Sequence, residues 1–203
     1  MERSVFEKAK AGRVVTIATL DMETLGLGVN SQVTSIGYGI GVWAPGNTDK
    51  PRVVEVAEFT VGRDLTRDIS QDTIAWHQKD PIRNAALEKW YLENGTAPSF
   101  GYQLARVAAI FAGYKADALF IQGKDFDMGL ISSASPDMAT EFQAASQIPY
   151  YNTHCLRDVE ALLQGLGMGF KKLKRIKQHT AASDCTDNLH CAFHALDFIY
   201  YNR

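Results

Sequence analysis

The chain has 203 residues, 46% of them hydrophobic and 22% charged, which suits one globular domain with one sizeable core. No run approaches about 18 apolar residues, so no membrane span is indicated. The net charge of −2 excludes binding of nucleic acid by bulk attraction alone, and any such binding needs a local basic patch or metal ions. Three cysteines, Cys155, Cys185 and Cys191, cannot all pair with one another, and they read as free thiols of a reducing compartment. The opening stretch, MERSVFEKAKAGR, carries charges of both signs and no long apolar core. It reads as a short helical lead-in and not as a secretory signal, so a cytoplasmic location is expected.

In chain order, VVTIA at 14–18 is rich in β-branched residues and predicts a buried strand. Residues 32–40 predict a second strand, and APGNT at 44–48 a turn. Residues 52–60 alternate in part and predict a third, which makes an antiparallel meander. The period then becomes helical. Asp72 is placed as the cap of a short helix holding Ile74 and Trp76, and Pro81 opens a second helix over 82–92. A third, over 102–112, sets Leu104, Val107, Ala108 and Phe111 on one face. DALFI at 117–121 predicts a buried strand, with helix beyond GKDFD and a break at SASPD. Residues 148–152 are placed as a last strand, and 157–166 and 183–200 as helices. Arg157 and Asp158 read as charges that cap and pair at a helix start. Strands first, then strands alternating with helices, give an α/β layered domain with a mixed sheet.

Three stretches carry the chemistry. Asp21 and Glu23, in TLDMETLG, lie two apart on the first strand, so their side chains share one side of it. Like charges side by side are costly unless something positive sits between them. Asp125 and Asp127, in QGKDFDMG, fall at or just past the carboxyl end of the 118–121 strand, where open α/β sheets favour ligands. In QHTAASDC, His179 precedes Asp184 by five residues. Five residues are about 140° on a helix of 3.6 residues per turn, so both reach one site only if His179 lies on the loop or first turn. All-oxygen ligands suit Mg²⁺ or Mn²⁺, and two such ions about 4 Å apart can clamp an in-line phosphoryl displacement. A neighbouring histidine can take the proton of the attacking water. The run KKLKRIK at 171–177 leads into His179, and Lys171, Lys172 and Lys174 could form a phosphate rail there.

This order of motifs resembles the DEDDh 3′–5′ exonucleases: D-x-E on the first strand of a meander, an aspartate after a later strand, then H-x4-D near the chain end. The resemblance implies a ribonuclease H-like fold, a mixed five-stranded sheet flanked by helices, in a single domain over 1–203 with its core at about 14–197. SIGYGIG and QDTIAWH further resemble phage DexA-type exonucleases and their bacterial exoribonuclease relatives, with His77 standing where those proteins often have a second tryptophan. A phage-encoded chain of this kind would act in its host's cytoplasm. The resemblance implies that Asp21, Glu23 and Asp184 bind the first of two Mg²⁺ or Mn²⁺ ions. Asp21 would also touch the second ion, with Asp127 nearby. His179 would be the general base. Asp125 does not match the motif position and is expected to face solvent or to stand behind the ligands. Backbone around Thr24 and Leu25 would hold the terminal nucleotide, and Phe126 would lie beside it. Trp76 is a candidate stacking surface, although a tryptophan is more often in the core. The implied activity is removal of nucleoside 5′-monophosphates from the 3′ end of single-stranded DNA or RNA, by a monomer or homodimer. The alternatives are a non-catalytic nucleic-acid-binding module, or a proofreading subunit of a polymerase, on the same fold.

Overall fold

The structure, a computed structural model, describes residues 4–46, 51–167 and 180–202. It is a five-stranded mixed sheet with helices on both faces. The strands are β1 (Val15–Thr24), β2 (Val33–Trp43), β3 (Arg52–Thr60), β4 (Ala118–Ile121) and β5 (Thr153–Cys155), in the spatial order β3-β2-β1-β4-β5. The pairs β1/β2 and β2/β3 are antiparallel, the meander expected of three strands joined by short links. The pairs β1/β4 and β4/β5 are parallel, so β1 and β4 end at the same edge of the sheet.

The helices are α1 (Val5–Lys10), α2 (Gln71–Gln78), α3 (Pro81–Glu93), α4 (Phe100–Gly113), α5 (Lys124–Ala134), α6 (Met138–Ser146), α7 (Leu156–Gly165) and α8 (Ala181–Tyr201). No described helix is long and apolar enough to cross a membrane.

The central strand is buried on both sides, and its period of two sorts the core into two layers. Ala18, Leu20 and Met22 pack with Leu104, Val107 and Phe111 of α4. Val15 and Ile17 point the other way, to Leu189, Phe193 and Leu196 of α8. Each fully buried aliphatic side chain in such a layer contributes roughly 1.5–3 kcal/mol. Thr19 continues the second face, where its hydroxyl donates to the Cys185 carbonyl at 3.1 Å. The same alternation therefore aims Asp21 and Glu23 at the start of α8.

The GYGIG of β2 explains how close α8 comes. A methyl group on Gly37 would lie 2.3 Å from the Ala181 backbone, one on Gly39 would meet Thr19 and Leu189, and one on Gly41 would meet Phe193. Bare backbone at alternate positions leaves a shallow trough, and the helix lies in it.

Four local expectations change. The last strand is β5 at Thr153–Cys155, and Tyr150–Asn152 form a 3-10 turn. Asn152 fixes that turn by donating to the Asp117 carbonyl at 3.0 Å and accepting from the Val5 amide at 3.1 Å. The cap of α2 is Ser70, whose hydroxyl accepts from the Thr73 amide, so Asp72 lies in the first turn. α8 begins two residues before the predicted start, because Thr180 and Ser183 form a reciprocal capping box. Trp76 is not in the core: 46% of it is exposed.

Candidate functional site

Three elements meet at the carboxyl ends of β1 and β4. Asp21 and Glu23 come from β1, Asp184 from the first turn of α8, and Asp127 from the first turn of α5. Carboxylate oxygens of Asp21, Glu23 and Asp184 all lie within 4.8 Å of one another. Asp127 is buried, and of all charges its own acts most strongly on Asp21. Asp125, two residues earlier, is exposed. Phe126 is half-buried and packs on the α4 side of the core.

The electrostatics are those of a crowded, buried acidic cluster. Burial, then the Asp127, Glu23, Asp184 and Glu58 charges, hold the Asp21 carboxyl well above the usual range. Glu23 is pushed up to about 8, first by burial and then by Asp184, Glu58 and Asp127, with Arg83 pulling the other way. Asp127 is pushed up to about 7 by burial, opposed by a hydrogen bond from its own backbone amide and by Arg157. Arg157 therefore acts on the acidic cluster, beyond the surface pairing expected of it. Carboxylates crowded and desolvated to this degree bind protons or a cation, since removal from water disfavours their charged form. With oxygen as the only donor atom, the group fits a hard divalent ion such as Mg²⁺ or Mn²⁺.

Glu58 is a member that the sequence motifs do not mark. The ladder runs Asp21–Gly37–Glu58 across β1, β2 and β3, so Glu58 stands two strands from Asp21 in one row. Its Oε2 accepts from the Ala182 amide at 3.2 Å. A carboxylate on the first turn of α8 suits the positive end of the helix dipole. Glu58 thus helps to seat the helix that carries Asp184. Only the pairing register reveals it, and no local spacing does.

Beyond Glu23 the ladder register shifts, and the chain leaves the sheet. The Thr24 hydroxyl donates to the Gly26 carbonyl at 2.7 Å, and His77 Nε2 lies 3.3 Å from the Thr24 carbonyl. The Leu25 amide donates to the Gln32 carbonyl at 2.9 Å, and the Leu25 side chain is buried with Leu87 and Trp90. A cleft of about 450 Å³ opens here, lined by Glu23, Thr24, Leu27, Trp76 and His77 among others. A second cavity joins Glu23 to Glu58, His77 and Thr180. Arg83 of α3 lies over the Trp76 ring, 3.5 Å from its centroid. His179, Lys171, Lys172 and Lys174 lie outside the described residues.

Cell-death related nuclease 4 (CRN-4) matches with a TM-score of 0.53 and 13% identity, over 90% of this chain and 64% of that one. A 3′-exonuclease solved for 3′-end specific recognition of a histone mRNA stem-loop matches with a TM-score of 0.50 and 11% identity, over 90% and 64%. The fold is ribonuclease H-like. The chain spans 64% of the length of both structures. No protein-family model and no curated protein sequence matches it.

Proposed function

We propose that the chain is a divalent-metal-dependent 3′–5′ exonuclease of the DEDDh kind, releasing nucleoside 5′-monophosphates from single-stranded DNA or RNA. The observation that carries this reading is the convergence of Asp21, Glu23 and Asp184 within 4.8 Å, with Asp127 buried beside them. Within that superfamily, SIGYGIG and QDTIAWH favour a place near the DexA-type exonucleases.

Asp21, Glu23 and Asp184 would hold one cation, and Asp21 with Asp127 a second. Bound there, the cations supply Lewis-acid activation of water and neutralise charge at the leaving oxygen. The rest falls to the chain. His179 takes the proton of the attacking water as the water oxygen bonds to phosphorus and the 3′ oxygen of the penultimate nucleotide leaves. Thr180, the next residue in sequence, lines a cavity together with Glu23. The cleft beside Thr24 receives the terminal nucleotide, and the exposed part of Trp76 offers its base an aromatic face. Because the Leu25 amide is already committed to Gln32, the backbone contact there falls to other groups of the 24–27 segment. Lys171, Lys172 and Lys174 draw the phosphate backbone toward the site.

The test is one incubation of 5′-labelled single-stranded DNA and RNA with Mg²⁺, Mn²⁺ or chelator, comparing wild type with Asp21→Ala. Wild type with metal should give a ladder shortening from the 3′ end, and neither chelated enzyme nor the variant should. Oligonucleotides left intact by wild type with every ion would overturn the reading.

A further inference from the structure

Arg83 is a cation set beside an acidic cluster without an ion pair to any described residue. Its place is fixed by local structure. Asp80 caps α3, and its carboxylate accepts from the Ile82 and Arg83 amides at 3.0 and 3.1 Å. Pro81 sets the first helical turn. From that turn the Arg83 side chain reaches back to α2 and lies on the Trp76 ring, 3.5 Å from its centroid. Its Nε is buried and has no hydrogen-bond partner among the described residues. The charge is felt by both Glu23 and His77, yet no carboxylate of the described residues forms a salt bridge with it. An arginine laid over an aromatic ring, and in no salt bridge among the described residues, has its planar fork placed for a bidentate oxyanion.

We infer that Arg83, braced by Trp76, binds a backbone phosphate of the nucleic-acid substrate at the mouth of the carboxylate site. This rests on the exonuclease reading for the identity of the anion. The guanidinium adds positive charge on the Glu23 side of the site, as Arg157 does on the Asp127 side, so a polyanion can approach the carboxylates. Trp76 then has two tasks, bracing the arginine and presenting an edge or face to the neighbouring base.

The test is binding, not turnover. A 5′-labelled oligonucleotide with phosphorothioate 3′ linkages, which resist hydrolysis, is titrated by anisotropy in Mg²⁺ at several salt concentrations. Arg83→Met keeps the unbranched stem, and Arg83→Lys keeps the charge. Arg83→Met should bind about tenfold more weakly, and its log K against log[salt] slope should fall in magnitude by about 0.7, the value for one phosphate contact on a single strand. Arg83→Lys should recover the slope but not the full affinity. Binding and salt slope of Arg83→Met equal to wild type, with melting temperatures matched, would overturn the assignment and leave the exonuclease reading standing. Wild type that binds the probe but cuts no ordinary strand would overturn the exonuclease reading alone, and wild type that binds no strand would overturn both.

Discussion

Replacing Glu23 by glutamine tests the acidic cluster through stability, with no nuclease assay needed. The Glu23 carboxyl titrates near 8 in the metal-free fold against an ordinary 4.5. Below about pH 4.5 the group is neutral in both folded and open chains, and its burial costs the fold nothing in charge. Between 4.5 and 8 the open chain ionises freely while the folded one resists, so stability is lost as pH rises. At about 1.4 kcal/mol per pH unit, the loss reaches on the order of 4 kcal/mol at pH 8. Glu23→Gln removes it. Without metal, the variant should therefore melt roughly 10 °C above wild type at pH 8 and close to it at pH 5, taking 2–4 °C per kcal/mol for a chain of this size. Adding Mn²⁺ should narrow the gap at pH 8 to about 1–2 kcal/mol. Wild type gains about 2.7 kcal/mol at a hundredfold excess over Kd, and the variant, short of a ligand, gains far less. Differential scanning fluorimetry across pH 5–8, with and without Mn²⁺, reads both effects. A variant less stable than wild type at pH 8 without metal, or a gap that does not vary with pH, would refute the reasoning.

Two further outcomes follow from how α8 is seated. Gly37→Ala places a methyl group 2.3 Å from the Ala181 backbone, where no flexible side chain can give way. It should cost about 1–3 kcal/mol in urea unfolding and weaken Mn²⁺ binding, whereas Gly39→Ala, which meets side chains of Thr19 and Leu189, should be milder on both counts. Glu58→Ala removes the acceptor for the Ala182 amide and should lose about 1 kcal/mol. Glu58→Gln keeps an acceptor oxygen and should lose less than half of that in the same unfolding assay.

Much of the fold was legible because its signals are local. The β-branched run before Asp21, the apolar face of α4 and the apolar DALFI strand each declare their structure within a few residues. The acidic motifs were legible for a different reason. Alternation along β1 fixes the side to which Asp21 and Glu23 point, whatever the rest of the chain does. Elements decided by distant partners were not legible. The last strand sits at Thr153–Cys155 because those residues pair with Leu119–Ile121; in the 148–152 stretch Pro149, which has no N–H to give a ladder, was the local mark against a strand. For Trp76 the sequence leaves open both a core position and a stacking surface, because residue type says nothing of its 46% exposure or of Arg83, which reaches its ring from the next helix. Glu58 was invisible because its proximity to Asp21 passes through Gly37, a neighbour across two ladders.

The trough of glycines under α8 also bears on when the chain becomes able to hold a cation. Asp21 and Asp184 are separated by most of the polypeptide, and they meet only when the last helix settles onto β2. With α8 undocked, the cluster lacks Asp184, one of its three converging carboxylates. Closing so long a loop is entropically slow work. The cluster of three carboxylates therefore forms only with α8 docked on the sheet.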